Sequence, residues 1–408
     1  MLALLLGNAA FCRFLMGRFL ALICDQILLF AVPLIIYRNT GSITQTGLVF
    51  FLEWLPRVVS LPLAGALADK IGGRVLFLIS DFVRGTTCLL AIFLLLHYDQ
   101  YSIYILGFLV MVNAFFQAQS LIAVETVVPR LFDQSRLTEV QSVLQTLMQL
   151  SMILGPILCG LLILVMEKYY LILVTSVVYL ACALNTMTLS FGLDAKVKQA
   201  EQKVSFFEQL YKASSLIYRQ SRLKRLTCES IAVNLLLGLM LGQASIIAIS
   251  RFNVTDHTFS LLQLALGVAS VLTLICSSQI FRRFDGITVF ICSVWSIFIG
   301  SLIAAIATEF WMFTLGYALM ISSLALFNVY MRAERVKLIP KDDLGKVIGI
   351  MVMFNQLPLP LAGVLIAAFS ESVGPQNLLL LVILGNSLIY LSFYLLPKFK
   401  AARKVSTS

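Results

Sequence analysis

Apolar runs of about 20 residues recur from one end of this chain to the other, and no other feature constrains the fold as strongly. A helix rises 1.5 Å per residue, so a run of about 20 residues crosses the ~30 Å hydrocarbon layer of a bilayer. In hydrocarbon every backbone N–H and C=O must be satisfied inside a helix or a closed barrel. Barrel strands are short and alternate apolar with polar positions. These runs are too long and too continuously apolar for that. Charged residues make up only 12% of the 408 residues, roughly half of what a water-facing surface carries. The expected class is an all-α integral membrane protein of twelve transmembrane helices.

The spans fall at about 14–37, 44–68, 75–96, 101–127, 139–166, 170–192, 227–249, 259–281, 287–307, 310–331, 347–369 and 376–396. If both termini are cytoplasmic, the inner segments hold 25 Lys and Arg and the outer loops 3, Arg38, Lys168 and Arg251. Such a split fixes the orientation and requires an even number of spans. Arg13 and Arg18 are counted here with the inner N-terminal segment. That segment has neither the charged start nor the cleavage pattern of a secretory signal. The expected location is a bacterial inner membrane, with both termini inside.

The net charge of +10 is loop charge. No basic stripe interleaved with aromatics and no nucleic-acid signature accompanies it, so nucleic acid is not expected as a partner. The eight cysteines lie in or beside apolar runs without a CxxC, and only His97 and His257 are histidines. They read as apolar fillers, and no metal or other cofactor is expected. No Walker lysine motif, nucleophile triad or zinc spacing appears. The chain is not expected to be an enzyme or an ATP-driven pump.

The charged stretch 193–226 divides the chain into an N-terminal six-helix bundle at 1–192 and a C-terminal bundle with a basic tail at 227–408. Within it, Phe206, Phe207, Leu210, Leu216 and Ile217 share an apolar face with basic flanks. An amphipathic helix lying at the inner headgroups is the expectation. A weak repeat supports the division. ETVVPRLFDQSRL at 125–137 corresponds to ERVKLIPKDDLGK at 334–346, and ADKIGGR after span two to FRRFDG after span eight. Duplication of this kind implies two pseudo-symmetric six-helix bundles around a central path.

Gly65-Ala66-Leu67-Ala68-Asp69-Lys70-Ile71-Gly72-Gly73-Arg74 fills the turn between spans two and three. It resembles the G-x-L-A-D-[RK]-x-G-x-[RK] signature of the major facilitator superfamily. The glycines permit a sharp turn. Asp69 can face a positive helix N-terminus, and Arg74 can reach a carboxylate, with Glu125 the candidate. Gly65, Asp69, Lys70, Gly72, Arg74 and Glu125 therefore form the expected cytoplasmic gate, with Arg332, Glu334 and Arg335 as its counterpart in the second half. Gly155-Pro156 in span five resembles the G-P-x-x-x-G element of the superfamily's antiporters. Together with SDFVRG, VVPRLFDQSRL and LGPILCG, most of the N-terminal half resembles the branch of enterobactin-type siderophore exporters and macrolide efflux proteins. That resemblance implies extrusion of a small molecule driven by the proton gradient.

Asp25 lies near the middle of span one and Arg57 in span two. A charge at such depth costs at least ~2.5–3.5 kcal/mol and usually faces a cavity and a partner. Both lie about eleven residues from the cytoplasmic ends of antiparallel spans, so the two can meet. Glu53, at i,i+4 from Arg57, competes for it. Asp25 is the first candidate for proton coupling and Glu53 the second. The competing reading is a permanent ion pair that fixes packing. Asp81 and Arg84 are assigned to the inner loop network, and Glu229 and Glu371 to the interface.

Cavity candidates are Asn113, Gln117, Gln145, Gln149, Asn234, Gln243, Asn328 and Asn355, with Trp54 and Tyr330 as aromatic wall. Any of the amides could instead be interhelical glue. Pro358 and Pro360 should bend span eleven and expose carbonyls. A monomeric, proton-coupled exporter of a small polar or amphipathic molecule is expected, a siderophore ahead of a drug. The alternatives are a multidrug or macrolide pump and, from another class, a lipid translocator or a non-transporting scaffold.

Overall fold

The computed structural model describes residues 9–131, 134–189, 206–339, 344–388 and 390. Its elements are helical. The first unit opens with α1 (Ala9–Thr40), α2 (Ile43–Ile71) and α3 (Gly73–His97). After a single 3₁₀ turn at Asp99–Tyr101 follow α4 (Ser102–Leu131), α5 (Gln134–Val165) and α6 (Tyr170–Thr188). Next come α7 (Phe206–Arg219), α8 (Ser221–Phe252), α9 (Asp256–Arg283), α10 (Gly286–Ala305) and α11 (Phe310–Leu338). The last are α12 (Leu344–Gln356), α13 (Pro358–Val373) and α14 (Pro375–Leu388). Ten helices among the described residues are long and apolar enough to cross a membrane. The 29-residue α2 and the shorter apolar α14 add to them.

The lipid-facing character shows in side chains that a water-soluble protein would hide. Phe82, Phe93, Phe108, Leu184 and Trp311 are all exposed. Helices run longer than hydropathy alone indicates, because a helix continues past the apolar layer until a turn stops it. Gly72 is such a stop. It is the single residue between α2 and α3 and sits at φ +84°, where any side chain would be strained. The turn motif thus has a direct backbone reason for its glycine.

Two compact units emerge, Met1–Val204 with Val254–Val268, and Ser205–Asn253 with Ala269–Ser408. In the first, α1 is gripped where small residues let neighbours approach. A Cβ on Gly155 of α5 would lie 2.2 Å from Gln26 Cβ, and Gly17 faces Asn185 and Cys182 of α6. Gly85 does the same for α3 and α6, since a Cβ there would lie 2.7 Å from Leu180 Cγ. In the second unit α10 and α11 touch backbone to backbone, Gly300 against the Gly316 carbonyl. Lipid tails offer no hydrophobic incentive for helices to associate, so such close approach is what holds a bundle together.

Two expectations change here. The apolar side chains of α7 do not all face lipid. Leu216 and Ile217 pack with Leu223, Leu338, Ile339, Ile350, Met351 and Phe354 of the second unit. Tyr211 and Tyr218 are exposed, and the side chains of Phe206, Phe207 and Leu210 lie outside the described residues. The prolines of span eleven do divide it into α12 and α13, yet Leu357 keeps helical angles and its N–H still reaches the Met353 carbonyl at 3.1 Å. The interruption is confined to the N–H groups that Pro358 and Pro360 lack.

Candidate functional site

Asp25 sits midway along α1, buried at 7% exposure. Its partner is Arg84 of α3, at 2.7 Å, and not Arg57. Arg84 is fully buried and also pairs with Asp81, one turn earlier on its own helix. Tyr179 of α6 donates its hydroxyl to the same Asp25 oxygen at 2.6 Å, and its ring lies 4.4 Å from the guanidinium carbon. The close approach at Gly85 makes this possible, and Ser176 donates to the Gly85 carbonyl at 2.8 Å beside it. Arg18, two turns before Asp25 on the same face of α1, is buried as well and donates to Ser120 of α4 at 2.8 Å. Two acids and two guanidinium groups therefore balance within one helix bundle. Removing water from a charge is costly, and only a close partner returns most of it.

Asp81 and Arg84 thus leave the loop network to which sequence assigned them, and Arg18, counted with the inner N-terminal segment, is buried. Counting residues from an assumed span end misplaced them, since α1 and α3 both extend beyond those ends and arginine reaches along its helix. The Asp-x-x-Arg spacing in SDFVRG was the available signal. Tyr179, inside an apolar run, carried none.

A second buried acid lies on α2. Glu53 is 5% exposed and makes no hydrogen bond or ion pair among the described residues. Arg57, one turn on, lies with its guanidinium carbon 4.1 Å from the centre of the Trp54 ring, and its buried Nε has no acceptor. Trp54 is 8% exposed, and its Nε1 has no acceptor either. Pro56 interrupts the same turn, so the Leu52 carbonyl lacks its usual donor. Nearby, Ser60 of α2 meets the Phe115 carbonyl and Gln119 of α4.

The remaining candidates scatter. Asn113 donates back to the Leu109 carbonyl of its own helix at 3.0 Å and Asn234 to the Ser230 carbonyl at 2.8 Å. Asn113 keeps a buried Oδ1 without a donor. Gln243 accepts from Ser370 of α13 at 3.0 Å, with its Nε2 unpartnered. Asn355 keeps a buried Oδ1 without a donor. Gln117 and Asn328 are partly buried. Tyr330 packs on Phe290, 4.6 Å between ring centres, beside Gly286 at the start of α10, and so is no mid-span wall. The side chains of Gln145, Gln149, Gly65, Asp69 and Glu125 lie outside the described residues. Lys70 is exposed, and Arg74 donates to the Met187 carbonyl at the end of α6 at 3.1 Å. Pro156 lies inside α5. Glu229 is buried at 3% exposure and takes Arg225 at 2.8 Å. Glu334 pairs with Arg222 at 2.5 Å, and Arg335 bonds the Met331 carbonyl of its own helix.

At the opposite end of the first unit, Asn39 bonds Asp99, Tyr169 and Lys168. Tyr169 also donates to Asp99. Burial, helped by that bond, pushes the Tyr169 hydroxyl up to about 12. The clasp ties the end of α1 to the α3–α4 and α5–α6 connections.

Charges paired inside a bundle of helices long and apolar enough to cross a membrane mark a multi-pass membrane protein. The sequence model of the Major Facilitator Superfamily matches residues 14–357, and the chain belongs to that family. It is a secondary transporter, not an enzyme. Among curated proteins it is similar to the multidrug efflux pump Tap of Mycolicibacterium fortuitum, 27% identical over 143 residues. That match spans about a third of either chain, 34% of this one and 35% of Tap. Among solved structures it resembles the nucleoside transporter NupG, with TM-score 0.73 and 15% identity over 96% of this chain and 100% of that one. A bacterial homologue of the iron transporter ferroportin, inward-facing, gives 0.66 at 14% identity, over 94% and 98%. A POT family transporter in complex with 5-aminolevulinic acid gives 0.68 at 14%, over 95% and 96%. At these identities the likeness is one of fold.

Proposed function

We propose that the chain is a proton-coupled exporter of small amphipathic molecules, working by alternating access in a bacterial cytoplasmic membrane with both termini inside. The observation that carries this is Glu53, a buried carboxyl with no hydrogen bond and no ion pair among the described residues. Such a group can take up and release a proton without dismantling a salt bridge. Asp25 would have to break from Arg84 and Tyr179 to do so. The order of the two coupling candidates is therefore reversed relative to sequence. Export as the direction is supported by the similarity to a multidrug efflux pump, which also favours drug-like substrates. A siderophore remains the second reading. Its support is Arg57, whose guanidinium has an aromatic neighbour and an Nε without acceptor, and so is open to an anionic ligand. Asp69 and Arg74 are assigned to closing the cytoplasmic side.

The test is transport in proteoliposomes under an imposed pH gradient, with ethidium and a catecholate siderophore as alternative cargoes. Gradient-dependent movement of either supports the reading and chooses between the two. If neither moves faster with a gradient than without, proton-coupled export is wrong. Orientation is checked with single cysteines at Ser221 and Thr255, both exposed, in a background lacking the exposed Cys276 and Cys292. An impermeant thiol reagent should label 255 and spare 221 in intact cells. The reverse pattern would invert the topology.

A further inference from the structure

The turn Glu53–Trp54–Arg57 holds an unusual combination of idle groups. Glu53 Oε2 is a buried acceptor without a donor, and Trp54 Nε1 and Arg57 Nε are buried donors without acceptors. Buried polar atoms are almost always hydrogen-bonded, because each lost bond costs free energy on the order of a kcal/mol or more. Three of them on one helical turn, two of them in residues more than nine-tenths buried, need a reason. Pairing with each other is the obvious remedy at i,i+4, and it is not taken. Arg57 instead lies against the face of Trp54. That contact gives the guanidinium an aromatic neighbour, and no ion pair joins it to Glu53 among the described residues. Pro56 adds a backbone acceptor to the same turn by withholding its N–H from the Leu52 carbonyl. The charges facing Glu53 are Arg57 from α2 and Asp25 from α1. Asp25 is held by Arg84 of α3 and Tyr179 of α6 through Oδ1, and its buried Oδ2, like Glu53 Oε2, is an acceptor without a donor.

We infer that this turn is a recognition subsite for a zwitterionic aromatic molecule. Glu53 takes the ligand's protonated amine, Arg57 takes its carboxylate or phenolate, and the Trp54 ring lies along its aromatic body. Because an ammonium and a proton compete for one carboxyl, loading the amine requires Glu53 to give up its proton. The inference rests on the exporter reading for its cargo, but binding alone tests it.

The experiment uses the full-length chain in lipid nanodiscs without any gradient, with binding read by equilibrium titration. The probes are norfloxacin, which carries a secondary amine and a carboxylate, its methyl ester, which keeps only the amine, and its N-acetyl derivative, which keeps only the carboxylate. Each lost charge-assisted bond should weaken binding roughly tenfold or more, so the zwitterion should bind at least about tenfold tighter than either singly charged form. Glu53→Gln should bring norfloxacin down to the N-acetyl value, and Arg57→Gln to the ester value. In the wild-type chain, which needs no variant to fold, equal affinities for the three probes would overturn the subsite, as would no binding of any. Zwitterion preference that survives both substitutions would place recognition elsewhere and equally overturn it. Preference that tracks the two substitutions while transport ignores a pH gradient would uphold the subsite and sink proton coupling instead.

Discussion

Asp25 and Glu53 are both carboxyls on apolar helices of the first unit, both nine-tenths or more buried, and they are held in opposite ways. Asp25 has one oxygen bonded to Arg84 and to Tyr179, with Asp81 sharing the guanidinium. Glu53 has no hydrogen bond, and its neighbouring arginine is turned to an indole. Burial alone therefore does not mark a coupling residue. A buried charge with fixed partners ties three helices together, and one without them is free to change its protonation state.

Five substitutions, four in or beside these two acids and one at the clasp, test how the first unit holds its polar groups. The largest effect is expected for Arg84→Ala. It strands both Asp25 and Asp81, and breaking one side of a buried pair costs about 3–5 kcal/mol. The variant should lose most of its folded, monodisperse protein in detergent at temperatures the wild type survives. Wild-type stability would mean that the network is not architectural.

Glu53→Gln should abolish gradient-driven efflux while leaving the thermal midpoint close to that of the wild type, since it removes no bond to Glu53 found among the described residues. Asp25→Asn is the companion measurement. If Asp25→Asn stops pumping in a stable protein and Glu53→Gln does not, the coupling proton belongs to Asp25, and the contrast between the two acids dissolves.

Tyr179→Phe sharpens the account of the network without stranding a charge. It removes one hydroxyl donor from a buried carboxylate, a loss of about 1.5–3 kcal/mol, so its thermal midpoint should fall between those of Arg84→Ala and the wild type. A drop as large as that of Arg84→Ala would show that the tyrosine, and not the guanidinium, holds Asp25.

The smallest effect belongs to the clasp at the far end of the unit. Tyr169 titrates at about 12 in the fold against an ordinary 10. A raised acid is more protonated folded than unfolded, so its stabilising contribution is complete below pH 10 and disappears as pH rises through 12. Tyr169→Phe should flatten stability across that alkaline window and change little at neutral pH. An unaltered alkaline slope would remove the tyrosine from the clasp.

The membrane class, the helical fold and the turn at Gly72 were legible in the residues, because each follows from a local rule. Apolar length sets a span, and a one-residue reversal at positive φ needs glycine. The two acids and Arg57 were also visible as charges in the wrong place for lipid. Partnership was not legible. Asp25 and Arg57 lie at similar depth on adjacent helices, and depth was all that counting could supply.

Which face each side chain presents depends on how α1, α3, α5 and α6 cross, and those crossings are set by the close approaches at Gly17, Gly85 and Gly155. Sequence therefore determined that this chain crosses a membrane many times and carries charge inside it. Only the packing of the helices decided that Arg84 neutralises Asp25 and leaves Glu53 without a bond. An ion pair forms across about 3 Å, a distance that hydropathy, averaged over a whole span, does not resolve.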